Sequence, residues 1–310
     1  MKPLSRRKFI ASASLASAGI ATGAYAAFPF SSPFQNDYVT TETSHGRIRG
    51  IRLRDVNIYK GIPYAGRVSG NRRFLRPAPL EPWTGIRDAL QLGPPSIQAP
   101  NQTYGINEPK PDEDCLFLNV WTPANDNRKR PVMFYNHGGG FATGSGGSEA
   151  QDGTNLARNF DVVVVETNHR LGLLGYLFLD EVAGEDYKGS GNNGLLDIID
   201  GLKWVNANIS MFGGNPENVM IFGESGGGAK TSCLYAMPDA TAYFNKASIE
   251  SGPGIRMIPE EVASETTALL FRQLNISPSG WQKLLELPAS DLLELQVSLP
   301  KAAGQVQNQS

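Results

Sequence analysis

Four short apolar runs, Leu116 to Trp121, Val132 to Tyr135, Val162 to Val165 and Val219 to Phe222, recur with helix-length segments among them. A strand with one wet face alternates apolar and polar residues, and these runs do not. Successive apolar positions suit strands buried on both faces, which means a parallel sheet with helices on either side. The clearest helix lies between the last two runs. In NNGLLDIIDGLKWVNANISMFGG, Leu195, Ile198, Leu202, Val205 and Ile209 recur at helical spacing, Asn192 and Asn193 offer caps, and Gly213-Gly214 ends the pattern. The fold class is therefore α/β, with a mostly parallel central sheet flanked by helices.

The flanks differ. Residues 38 to 60, YVTTETSHGRIRGIRLRDVNIYK, alternate apolar and polar with Gly46 and Gly50 as punctuation, which predicts an N-terminal antiparallel hairpin region. Gly61 to Pro111 is rich in Pro and Gly with little periodicity, and long irregular segments of that kind often serve function. From Pro259 onward, Leu269, Leu270 and Leu274, then Leu284, Leu285, Leu292, Leu293 and Leu295, predict two or three amphipathic helices before a polar ending, KAAGQVQNQS.

Residues 1–26 stand apart from the domain expected over 27–310. MKPLSRRKFI carries Arg6 and Arg7 after Ser5 and before Phe9, a weakly apolar Ala/Ser-rich run follows, and Ala24-Tyr25-Ala26 makes a small-x-small cleavage pattern. The pattern resembles a bacterial twin-arginine export signal, which implies a periplasmic or secreted mature protein. The apolar run is too short and too rich in Gly and Ser to span a membrane. A formal charge of −2, with Lys and Arg scattered along the chain, argues against nucleic acid as a partner. Cys115 and Cys233 are the only cysteines, nothing in the sequence pairs them, and they read as small buried hydrophobes.

The chemistry centres on IFGESGGGAK, residues 221 to 230. A buried strand enters Gly-x-Ser-x-Gly and a helix from about Gly226 to Ala236 leaves it, so the chain must turn sharply at Ser225. Such a turn lifts the hydroxyl above the sheet and sets the N–H groups of a helix N-terminus behind it. Upstream, His137-Gly138-Gly139-Gly140 follows another buried strand. Consecutive glycines leave N–H groups uncovered, which suits the remainder of an oxyanion hole. Their competing use is a phosphate cradle, but no Gly-Lys-Ser/Thr follows and the dinucleotide spacing is absent.

With these motifs the chain resembles the type B carboxylesterase/lipase family of the α/β-hydrolase fold, which includes cholinesterases. Four segments carry the match: GIPYA at 61 to 65, EDCLFLNVWTP at 113 to 123, HGGGF at 137 to 141, and residues 192 to 228. The resemblance implies that Ser225 is the nucleophile of an ester hydrolase that works through an acyl-enzyme. It also implies that the N–H groups of Gly139, Gly140 and Gly226 form the oxyanion hole. Glycine replaces the family's usual alanine after the serine, which should loosen the elbow. Ser96 stands where the family often carries a cysteine that pairs with the one in EDCL, so Cys115 is expected to be unpaired. The implied partner is a small-molecule ester, with no metal or organic cofactor.

The triad is incomplete. His45, His137 and His169 all precede Ser225, whereas this fold runs nucleophile, acid, histidine. His137 opens the glycine loop and reads as structural. His169, where relatives often carry tyrosine, reads as a packed or hydrogen-bonded imidazole, and His45 as a solvated turn residue. Lys230 follows Ser225 by five positions and should point away from it; Glu224 reads as a buried structural ion pair. The triad acid and histidine are thus expected outside this chain, which reads as the N-terminal part of a longer esterase, incomplete at its C-terminus. The alternative is an inactive esterase-like binding protein, against which the retained serine and glycines count.

Overall fold

The structure, a computed structural model, describes residues 37–100 and 108–299. The export signal read over 1–26 and the polar ending from 301 lie outside the described residues. Three strands open the domain: β1 (Tyr38–Thr43), β2 (Gly46–Leu53) and β3 (Val56–Pro63), paired antiparallel in succession. The second turn falls at Arg54-Asp55, both left-handed, and not at Gly50. Gly50 lies inside β2, where a Cβ would meet the Ile58 carbonyl oxygen at 2.4 Å and the Tyr59 ring at 2.5 Å. Among its described residues, the irregular segment that follows contains one short strand, β4 (Ile86–Asp88), which runs parallel to β2.

The remaining strands are β5 (Phe117–Thr122), β6 (Arg130–Asn136), β7 (Val163–Thr167), β8 (Gly214–Glu224) and β9 (Lys246–Glu250). Apart from β4, the order across the sheet is β1-β2-β3-β5-β7-β6-β8-β9. From β7 through β6 and β8 to β9 the pairing is parallel; β5 runs antiparallel to both β3 and β7. The sheet is therefore mixed, and the first apolar run belongs to its antiparallel half. A continuous apolar run records burial on both faces and carries no information about strand direction, which is why the sequence placed it with the others.

Helices cover both faces. On one side α1 (Thr154–Phe160) packs Ala157 with Trp121, Val164, Val56 and Ile58. On the other, α3 (Asn193–Asn208) follows the short α2 (Gly172–Tyr176) and presses Leu195, Ile198, Leu202 and Val205 against Val132, Phe134, Val165, Val219 and Ile221. All five apolar positions expected for this helix region are buried, and a tight turn over Ile209–Phe212 closes on left-handed Gly213. The asparagine caps are not made. Asn192 forms no cap hydrogen bond, and the Asn193 amide donates instead to the Phe74 carbonyl at 2.7 Å, tying the helix start to the irregular segment.

After β8 come α4 (Gly226–Ala236) and α5 (Pro238–Thr241), then β9, then three amphipathic helices, α6 (Glu260–Leu274), α7 (Lys283–Glu286) and α8 (Ala289–Ser298). Leu270, Phe271, Trp281, Leu284 and Leu292 form a second apolar cluster with Phe74 and with Leu173, Leu174 and Leu177 at α2. Arg73 links this cluster to the segment that leads into β5. Its guanidinium pairs with Glu113 and donates to the Leu284 carbonyl at 3.0 Å.

Candidate active site at the strand-to-helix elbow

The β8 strand ends in a forced backbone conformation. Ser225 has φ 56° and ψ −122°, a region that a side chain adopts only when its surroundings hold it there. Two hydrogen bonds do so: the Ser225 N–H donates to the Glu250 carbonyl of β9 at 2.9 Å, and its own carbonyl accepts from the Ala229 N–H at 3.1 Å. The residue is exposed, and among the described residues no side chain hydrogen-bonds its hydroxyl. Glu224 is also exposed and forms no ion pair among the described residues, contrary to the buried pair expected of it. It pairs in register with Glu250, a second exposed carboxylate.

The glycines around the serine are demanded by proximity. A Cβ on Gly227 would meet the Asn136 carbonyl oxygen at 2.0 Å, and one on Gly226 would meet the Gly140 nitrogen at 2.3 Å. The second contact joins the two sequence motifs: the residue after the serine lies directly against the glycine loop. Glycine at 226 therefore serves close approach. Gly139 and Gly140 are both left-handed, at φ 84° and 63°. The Gly139 carbonyl closes a turn by accepting from the Thr143 N–H and hydroxyl, each at 3.1 Å. Beyond the turn, Gln98 of the irregular segment bonds both the N–H and the carbonyl of Gly144.

Beneath the loop lies a polar cluster that the sequence reading did not assemble. Asn136 donates to the Thr231 hydroxyl at 2.9 Å, fastening β6 to α4. Lys230, expected to point away from Ser225, makes no hydrogen bond to it among the described residues; it turns into the core, is fully enclosed and donates to the His137 carbonyl at 3.0 Å. The His137 and His169 rings stack at 4.4 Å. The His137 Nδ1 lies 2.9 Å from the Gly138 carbonyl, an acceptor only, so that nitrogen carries the proton. Among the described residues, His137 Nε2 and both His169 nitrogens are buried without hydrogen-bond partners, so His169 is packed there and not hydrogen-bonded. Burial, reinforced by the Lys230 charge, holds both imidazoles well below their ordinary range, and burial pulls the Lys230 ammonium down to about 7. The available signal was a lysine amid small and apolar residues in GGGAKTSCLYA. His45 is half-buried, bonded to the Ser44 hydroxyl and stacked on Trp83.

A buried ion pair steadies the opposite side. Arg170 and Asp197 meet through bonds of 2.7 and 2.8 Å, and the Arg170 N–H also donates to the same carboxylate. Cys115 and Cys233 are both free and buried. The Ser96 hydroxyl is a polar neighbour of the Cys115 thiol, which burial raises to about 12. Among the described residues no group of three or more His, Cys, Asp or Glu is arranged to hold a metal. Among the same residues no helix is long and apolar enough to cross a membrane.

Comparison with known proteins places this geometry. The carboxylesterase family model matches residues 35–303. The para-nitrobenzyl esterase of Bacillus subtilis is 41% identical over 255 residues, which cover 81% of this chain and 51% of that protein. The fumonisin B1 esterase of Sphingopyxis macrogoltabida is 37% identical over 244 residues, 78% of this chain and 44% of its own. A carboxylesterase structure from Geobacillus stearothermophilus superposes with a TM-score of 0.79 at 42% identity, covering 85% of this chain and 55% of that one. The chain thus spans about half the length of the curated relatives it matches. On its sequence, its mixed sheet with helices on both faces and the serine elbow set against a glycine loop, the chain belongs to the carboxylesterase family of α/β-hydrolase fold.

Proposed function

We propose that this chain is the nucleophile-bearing portion of a serine carboxylic ester hydrolase. The Ser225 oxygen attacks the ester carbonyl, and the N–H groups of Gly139, Gly140 and Gly226 receive the negative charge that develops on the carbonyl oxygen. The alcohol leaves, an acyl-enzyme remains, and water releases the acid. The observation that carries this reading is the contact of Gly226 with Gly140, which brings serine and glycine loop to one place. The proton of Ser225 needs a base, and the histidines of this chain do not supply it: His137 and His169 are buried against each other, and His45 lies on the first hairpin. On this reading the triad acid and histidine are supplied by residues other than those of this chain. The Arg6-Arg7 segment supports export as a folded protein, with cleavage before Ala27.

The purified 310-residue chain should hydrolyse a nitrophenyl ester only feebly, with little change in Ser225→Ala. Downstream DNA should encode an acidic residue and then a histidine, in frame or one frame away. The extended chain should turn over the same ester and lose about 10⁴-fold or more of kcat in Ser225→Ala. Robust Ser225-dependent turnover by the short chain would mean a base lies within it. Downstream DNA with neither residue would favour the inactive binding protein.

A further inference from the structure

The enclosed side chain of Lys230 takes no part in the chemistry above, yet its surroundings are specific. Its Nζ donates to the carbonyl of His137 and lies 5.8 Å from the centre of the Phe141 ring. These are the first and last residues of the loop His137–Phe141. Between them stand three glycines, which have no side chains of their own to fix a conformation, and two of them are left-handed. A methionine at 230 would fill the same space without the free-energy cost of burying an amine. What an apolar chain would lack is a donor for the loop carbonyl.

Two other anchors of this loop come from residues that follow it in the chain. The Gly139 carbonyl is held by Thr143, and the Phe141 carbonyl accepts from the Gly172 N–H at 2.8 Å. From α4, Lys230 supplies a buried hydrogen bond to the His137 carbonyl, next to the bond that the His137 Nδ1–H gives the Gly138 carbonyl. We propose that Lys230 is a positioning residue that braces His137–Phe141 against the elbow, so that Gly139 and Gly140 keep one placement relative to Ser225 and Gly226. This rests on the oxyanion role given to the loop above. The titratable groups that interact with Nζ are His137 after β6, His169 after β7 and Cys233 along α4; Tyr176 of α2 packs edge-on against Phe141. An ammonium makes a stronger, charge-assisted bond to a carbonyl than a neutral amine does. The His137 carbonyl should therefore report the protonation of Lys230.

Two measurements on the folded chain test this, and neither needs turnover. In wild-type protein, the Lys230 ¹⁵Nζ and the His137 carbonyl ¹³C should shift with a common midpoint near 7, while the Val165 carbonyl in β7 stays flat. A His137 carbonyl that stays unmoved while Nζ titrates overturns the brace. In Lys230→Met, which keeps the stem and removes the donor, amide exchange over Gly138–Phe141 should quicken about five- to tenfold, with β7 unchanged within about twofold. Equal protection of the loop in both proteins overturns it too, and if Lys230→Met does not fold the wild-type titration decides alone. Both responses in a chain whose extended form never acylates Ser225 support the brace and count against the esterase reading. Acylation without either response overturns the brace and leaves that reading intact.

Discussion

A methyl group added at Gly226 would sit 2.3 Å from the Gly140 nitrogen, 2.4 Å from its Cα and 2.5 Å from its oxygen. All three are backbone atoms, so the contact cannot be relieved by rotating a side chain. Although the family usually carries alanine here, Gly226→Ala in this chain should separate loop from elbow and cost about 1–3 kcal/mol in urea unfolding. Unchanged stability would show that the loop yields freely. This position also marks what sequence could and could not give at the residue scale. The motif located Ser225 and both glycine runs, because a strand followed by Gly-x-Ser-x-Gly and a helix admits few geometries. The distance between the two motifs depends on how far β6 and α4 interpenetrate, and that is a tertiary quantity. The same limit hid Lys230, since helical spacing tells where a side chain departs but not what encloses it.

Among elements, β9 is the most exposed strand of the parallel half. Its outer side carries no partner among the described residues, and Ile249 is 40% exposed. Close by in sequence, Ile255 is 86% exposed and Met257 50%. Unpaired edge strands with apolar residues promote association between chains, and a charge on the edge suppresses it. The isolated 310-residue chain should self-associate as its concentration rises, and Ile249→Lys should shift it toward monomer in sedimentation velocity. Identical behaviour of the two proteins would mean that β9 is not the contact. Period and run length made β6, β7, β8 and α3 legible in advance. The strand β5 was legible as a strand and not in its direction, because partner identity never enters a local pattern. The caps on α3 were illegible for a related reason: Asn193 lies inside the helix and its amide donates to the Phe74 carbonyl, far away in sequence.

For the molecule as a whole, the buried titratable groups set how stability follows pH. Lys230 is held at about 7 in the folded state, against an ordinary value of 10.5 when unfolded. Between those values the unfolded chain binds the proton and the folded chain does not, so this group makes stability rise with pH across that window. Its unfavourable contribution is complete below about 7. Cys115 and Cys233, raised to about 12 and about 11, oppose the trend above about 9, where unfolded thiols lose their protons first. The difference in unfolding free energy between wild type and Lys230→Met should therefore move in favour of wild type from about pH 7 to pH 9. A pH-independent difference would mean that Lys230 stays charged in the core.

The bond from the Ser225 N–H to the Glu250 carbonyl gives the outermost strand a mechanical grip on the elbow. Among the described residues the far side of β9 has no partner strand, so whatever pairs there adds to a strand only one hydrogen bond from the serine backbone. A segment added at that border would lie one strand away from the Ser225 backbone, joined to it through the Glu250 carbonyl.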